Sequence, residues 1–274
     1  MDSFIQIWKI IGLLFAVIIL IFSVVMFLRK PSHDGNWEVG QEELPEIQVD
    51  GDVIRVSNFR DFIWEKDGDV DKRYTIQEYK LSEIEKVDVI ISHFSDFEGL
   101  AHIFLSFGFT DGRHLVVSME TRREAGEEFS PILGLMRKFE IIYVVGSERD
   151  IVGLRTNVRE GERVYVYPTI ASPEKSKDLF LKLAGDINDI YVEPRFYNTL
   201  LRNCTNVITR RVEGISDLKF PLTYKTVMPG FFDEVLYDMG IIASRSDFEE
   251  TKQYYLVDNK EVDYMSEDFS VQIR

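Results

Sequence analysis

The stretch Ala101-His102-Ile103-Phe104-Leu105-Ser106-Phe107-Gly108-Phe109, then Thr110-Asp111-Gly112, then His114-Leu115-Val116-Val117-Ser118-Met119-Glu120, decides the fold class. Its first arm alternates. His102, Phe104, Ser106 and Gly108 share one face of a strand, and Ala101, Ile103, Leu105, Phe107 and Phe109 share the other. Asp111-Gly112 supplies a hairpin turn. His114–Glu120 returns as the partner strand, with His114, Val116, Ser118 and Glu120 on one face. Around this hairpin, Val53–Val56, Phe59–Trp64, Val87–Phe94, Phe139–Val145 and Arg163–Tyr167 are short runs rich in β-branched and aromatic residues, and read as further strands.

Helical patterns follow the strands. Pro173–Ile190 carries Leu179, Leu181, Leu183 and Ile187 at helical spacing, behind a Ser172 cap with Pro173 at the first position. A second helix starts near Asn203 or Cys204 and runs to about Arg211. A third covers Phe231–Met239, closed by Gly240. Antiparallel strands followed by helices predict an α+β domain, not a doubly wound one.

At the N-terminus the chain changes character. Ile10–Leu28 holds no charged residue, and a helix of that length spans roughly 28 Å, about the hydrocarbon thickness of a bilayer. Trp8 and Lys9 at one end and Arg29 and Lys30 at the other suit the interfaces. The run is long for a signal peptide, no small-x-small cleavage site follows it, and it has no polar stripe. Residues 1–30 therefore read as a transmembrane anchor. Residues 31–52, polar and acidic with Pro and Gly, read as a juxtamembrane spacer. Residues 53–243 read as one domain, and 244–274 as an acidic C-terminal extension. By charge alone, one base before the anchor and two after it lean towards a cytoplasmic domain.

With 47 Asp+Glu against 32 Lys+Arg, the chain suits neither nucleic acid nor broad docking on anionic headgroups. One cysteine means no intramolecular disulfide. No Gly-rich phosphate loop, Gly-x-Ser-x-Gly elbow or metal-ligand spacing is present, so neither cofactor nor metal is expected.

The chemistry concentrates in Tyr197-Asn198-Thr199-Leu200-Leu201-Arg202-Asn203-Cys204-Thr205-Asn206. Asn203 as N-cap puts Cys204 in a first helical turn, where N–H groups and the helix dipole lower a thiol pKa. The plainer reading of a lone cysteine is a small buried hydrophobe. A nucleophilic thiol needs an imidazole, and the imidazole an orienting partner. His33 lies in the spacer and His93 ends a strand. His102 and His114 lie on opposite hairpin arms. His102 sits at a sheet end and is the candidate base. Opposite it falls Ser118 or Glu120; Glu120 is the preferred orienting group, with Ser118 and His114 as alternatives and a pair with Arg122 or Arg123 as the plainer role. Glu148-Arg149-Asp150 and Arg155 read as a structural ion-pair network at a helix start.

Five segments then occur in a telling order: Asn58-Phe59-Arg60-Asp61-Phe62, Ala101-His102-Ile103-Phe104-Leu105-Ser106-Phe107, Ser118-Met119-Glu120-Thr121-Arg122-Arg123-Glu124, Glu148-Arg149-Asp150, and Phe196-Tyr197-Asn198-Thr199-Leu200 through Asn203-Cys204-Thr205. Together, over roughly residues 53–215, they resemble the Lnb-type N-terminal periplasmic domain family of bacteria. The resemblance implies a permuted NlpC/papain-like thiol fold with histidine before cysteine, similar to lecithin–retinol acyltransferase. It implies Cys204 as nucleophile, His102 as base and Glu120 as third member, with the Asn203-Cys204 pair at a helix start; Ser118, from the strand register, stands in support. It further implies transfer of a fatty acyl chain from phospholipid to an amine, such as a lipoprotein N-terminus, through a cysteine thioester. On this reading 53–243 is a thiol acyltransferase-like domain, anchored once in the bacterial inner membrane and facing the periplasm, against the lean of the flanking charges. Two other readings use the same pocket: a cysteine peptidase or amidase acting on cell-wall peptide, and a non-catalytic membrane-anchored binding module. An apolar groove at Cys204 favours lipid; an open, polar, acidic cleft favours peptide.

Overall fold

The computed structural model describes residues 2–65, 68–260 and 262–274. Strands run in the order β1 (Glu46–Asp50), β2 (Val53–Arg60), β3 (Ile63–Trp64), β4 (Val70–Asp71), β5 (Tyr74–Lys80), β6 (Ile84–His93), β7 (Ala101–Phe109), β8 (His114–Arg122), β9 (Glu140–Gly146) and β10 (Arg163–Pro168). The helices are α1 (Asp2–Leu28), α2 (Pro131–Leu135), α3 (Glu148–Gly153), α4 (Pro173–Val192), α5 (Cys204–Glu213), α6 (Tyr224–Val227), α7 (Phe232–Asp238), α8 (Phe248–Tyr255) and α9 (Phe269–Gln272). The class is α+β, as the hairpin and the helical patterns predict.

The main sheet has the order β1-β2-β9-β8-β7-β6-β10, with β5 also paired to β2. Its ladders are antiparallel except for β2 with β9, which meet in parallel at Arg60 and Gly146. That contact requires glycine, since a Cβ on Gly146 would lie 2.3 Å from the Arg60 carbonyl oxygen. Phe59 and Arg60 follow a bulge at Asn58, whose positive φ of 53° suits an asparagine.

Both faces of the hairpin are covered. Ile103, Leu105, Phe107, Leu115 and Val117 pack under Leu179, Phe180, Leu183 and Ile187 of α4. Phe104 and Val116 on the other face pack with Ile151 and Val152 of α3 and with Val257, Phe269 and Ile273. The run Leu115-Val116-Val117 is apolar on both sides and needs both layers. Residues 244–274 supply part of the second layer, and Arg274 ties them down by ion pairs to Asp88 and Glu148.

The spacer expected over 31–52 is a correction. It contains β1, which pairs with β2 along Glu46–Asp50, and Ile47 is buried in the main core. Trp37 bridges to Glu124, and buried Gln41 bonds to the backbone of Thr121 and Arg123. Polar composition hid this segment because its contacts are mostly backbone and amide hydrogen bonds, not apolar burial. The anchor is therefore held close to the domain, not on a long leash. Within α1, Gln6–Leu28 is long and apolar enough to cross a membrane. At its end Arg137 donates to the Phe27 carbonyl at 3.0 Å, and the Arg29 guanidinium lies 5.8 Å from the Phe196 ring centroid.

Candidate active site

Cys204 is set by its N-cap. The Asn203 side-chain oxygen accepts from the Asn206 N–H at 2.8 Å, while its Nδ2 donates to the Thr199 carbonyl at 2.6 Å. The Asn198 side chain accepts from the N–H groups of Leu200 and Leu201, and the Thr199 hydroxyl donates to the Pro131 carbonyl. The loop before α5 is thus held by five hydrogen bonds, and the cysteine that follows has little positional freedom.

The β7–β8 ladder runs only between Leu105/Val117 and Gly108/His114. The start of α5 comes in where it stops. There the N–H groups of Ile103 and Thr205 act on the Cys204 sulfur. His102 is the next residue along β7. Its Nε2 lies 2.7 Å from Ser118 Oγ, and Ser118 Oγ donates to Glu120 Oε1 at 3.0 Å. Glu120 Oε1 is 3.8 Å from His102 Nε2 and 3.1 Å from Arg155 Nη2. The His102 ring stacks on Phe104 at 5.4 Å between centroids, and the Arg155 guanidinium lies 4.9 Å from the same phenyl ring.

These bonds fix the imidazole's protons. Burial would raise the Glu120 carboxyl, but Arg155, His102 and Arg60 hold it well below the usual range. It is an acceptor only, so it takes the single Ser118 proton. Ser118 must then accept from His102 Nε2–H, which leaves Nδ1 unprotonated and basic. Burial pulls the imidazole down to about 4, so it is neutral at neutral pH.

The thiol departs from expectation. Burial pushes Cys204 up, against the pull of the Ile103 and Thr205 N–H groups. A helix start lowers a thiol pKa only where solvent or a cation shares the charge, and Cys204 is 6% exposed. The resting pair is neutral thiol and neutral imidazole.

Cys204, His102, Glu120 and Asn203 line one cleft of about 680 Å³. Ser118 lies fully buried behind it. Its lining includes an apolar group, in which Phe129 packs against Phe94 and Tyr197, and a charged group, in which Arg155 meets Glu120 and Glu162 and Arg159 meets Glu162. The remaining histidines are elsewhere. His114 Nδ1 faces the Gly112 carbonyl at the turn, about 20 Å along the strand from His102. His93 is buried against Tyr165, and His33 approaches Arg122. Glu120 pairs with neither Arg122 nor Arg123: the first bonds to the carbonyls of Gln41 and Glu42, the second pairs with Glu38. In the expected ion-pair network Asp150 does pair with Arg60 and Arg149 with Asp61, but Arg155 belongs to the cleft. Gln41 also reaches Glu120, at 3.4 Å, from a segment 79 residues away that no local pattern connects to it.

Among the described residues Asp88, His114 and Glu148 bring ligand atoms within 4.8 Å of one another. The Arg274 guanidinium bonds to both carboxylates and supplies the positive charge there.

The Lnb N-terminal periplasmic domain matches residues 71–230, more than half of the chain, and spans His102, Ser118, Glu120 and Cys204. The chain belongs to that family. The Lnb match extends past Thr205 to the α6–α7 region, and Asn58–Phe62 precedes it. No curated protein and no solved structure matches the chain. An Lnb periplasmic domain behind one N-terminal apolar helix fits a single-pass membrane protein with a periplasmic domain.

Proposed function

We propose that this Lnb-family chain is a thiol acyltransferase of the bacterial inner membrane, taking a fatty acyl chain from phospholipid and passing it to an amine, such as a lipoprotein N-terminus. One observation carries the reading: Cys204 and His102 share a cleft whose lining includes a group of packed apolar side chains, and His102 keeps Nδ1 free while Nε2 is tied to Ser118.

In the first step His102 Nδ1 takes the Cys204 proton as the sulfur attacks the ester carbonyl. Because the thiol is raised and the imidazole lowered, proton transfer and carbon–sulfur bond formation proceed together. Backbone N–H groups at the start of α5 would stabilise the developing oxyanion. Collapse breaks the ester carbon–oxygen bond, and the imidazolium returns its proton to the leaving alcohol. The amine then attacks the thioester, losing a proton to His102, and the sulfur leaves as the thiol. The ionised Glu120 supports the transient imidazolium through Ser118. The charged part of the cleft lining, with Arg123, Arg159 and Glu162, favours a peptide portion on the acceptor, and equally suits the amidase alternative.

The test is mass spectrometry of the full-length protein incubated with phospholipid vesicles. A fatty-acyl mass on Cys204, absent in Cys204→Ala and in His102→Ala, is expected. Cleavage of cell-wall peptide with no adduct at any time would turn the assignment to the amidase. No adduct and no cleavage would turn it to the binding module.

A further inference from the structure

α2 and the loop before α5 expose six large apolar side chains together: Ile132, Leu133, Leu135, Met136, Leu200 and Leu201. Ile132 and Leu201 are each 66% exposed. They belong to one surface because the Thr199 hydroxyl bonds to the Pro131 carbonyl, and because Gly134 sits against Thr199 and Tyr197. A patch of this kind on an otherwise acidic protein calls for a partner.

Its surroundings say which. Arg137, immediately after Met136, bonds to the Phe27 carbonyl at the end of α1 and stacks on the Phe27 ring at 4.8 Å. The patch therefore begins where the apolar helix ends. Arg29 and Arg137, both over the Phe196 ring, stand beside it against the acidic trend of the chain, as cations do at headgroup depth. Pro131, Thr199 and Leu200 also line the Cys204 cleft, so the patch is the cleft's rim.

We infer that this rim is a second membrane contact: Ile132–Met136 and Leu200–Leu201 insert into the leaflet from which α1 emerges, and the cleft opens directly onto the acyl region. The contact deepens the lipid-donor reading and rests on it for the purpose of the opening. The insertion itself can be measured without catalysis.

Single cysteines at Ile132→Cys and Leu201→Cys, in the full chain carrying Cys204→Ala, are labelled with an environment-sensitive fluorophore. The proteins are reconstituted in phosphatidylethanolamine/phosphatidylglycerol vesicles. Val271→Cys, exposed on α9 at the other end of the sheet, is the control. Lipids with a nitroxide high on the acyl chain are expected to quench both rim probes several-fold more than the control. Quenching equal to the control overturns the inference. So does a blue shift without quenching, which would mean that protein, not lipid, covers the patch.

A second arm pairs Ile132→Glu with Leu201→Glu in the chain that keeps Cys204. Adduct formation from vesicle lipid is expected to fall at least tenfold, while alkylation of Cys204 by a small water-soluble reagent is unchanged. An undiminished adduct overturns the inference. If the unmodified protein forms no adduct yet its rim probes are quenched, the transfer reading is lost and the insertion stands.

Discussion

Ser118 is where the proton logic of the cleft turns. It separates His102 from the carboxylate the sequence favours as its partner, and its single hydroxyl proton decides which imidazole nitrogen is basic. Ser118→Ala should lower the rate of Cys204 acylation by roughly tenfold to a hundredfold, part of what a positioned general base contributes. It should also cost about 1–3 kcal/mol of stability, because the buried His102 Nε2–H loses its acceptor. Glu120→Gln should behave differently. It takes the negative charge from beside the buried Arg155 guanidinium, which keeps its bond to the Ile151 carbonyl and its 4.0 Å approach to Glu162, so the imidazolium loses its support while Arg155 stays partnered. Comparing acylation rates with thermal melts of the two variants separates orientation from folding.

The pH dependence follows at the same scale. The thiol is raised and the imidazole sits at about 4. Alkylation of Cys204 by iodoacetamide should therefore set in at higher pH than for an ordinary free thiol, whose pKa is about 8.5, with no thiolate plateau between about pH 5 and 7. A plateau there, read by mass spectrometry of quenched samples, would mean a resting thiolate–imidazolium pair.

At the scale of elements, α5 and the loop before it carry the proposed nucleophile, Cys204. Asn203→Ala removes a helix N-cap and the bond to Thr199 at once. The cap alone is worth about 1 kcal/mol. Loss of acylation should exceed what that stability change explains, because Cys204 is the next residue and its placement depends on the loop. Thermal unfolding and adduct yield, measured on the same preparation, test this. The β7–β8 hairpin plays the complementary part: its ladder is kept at the turn end and given up at the cleft end, so the sheet that forms the core also leaves room for the sulfur.

At the scale of the molecule, several buried titratable groups act in one direction. His102 and His93 each have a folded pKa of about 4, against an ordinary value near 6.5. Between those values the unfolded chain binds more protons, so stability falls as pH drops through that window. Glu120 and Glu148, held below the usual carboxylate range, add losses as the pH falls further. Melting temperature should be flat between about pH 7 and 8 and decline steadily below 6.5. His93→Gln, which removes one of the two histidines without touching the cleft, should flatten the decline. Arg274 is the other lever at this scale. Its guanidinium closes on Asp88 and Glu148 across the second core. Arg274→Ala should cost about 3–5 kcal/mol, as loss of one partner from a buried pair does.

The sequence by itself determined the elements whose signal is local. The Ala101–Glu120 hairpin, the Ser172-capped α4, the Asn203-capped α5 and the apolar run in α1 each announce themselves through alternation, capping or hydropathy within a few residues. The motif order, with His102 well ahead of Cys204, also belonged to the sequence, as did the Lnb family it resembles. What only the tertiary structure decided were quantities that depend on groups far apart in the chain. Ser118 rather than Glu120 touches the imidazole because the strands part at the end of their ladder. The thiol is raised, not lowered, because burial outweighs the N–H groups at a helix start. Arg155 and Gln41 reach Glu120 from distant segments, and residues 31–52, polar enough to read as a leash, dock along the sheet through hydrogen bonds. Periodicity records which side of an element is apolar; it carries no record of what charge, donor or membrane that side meets.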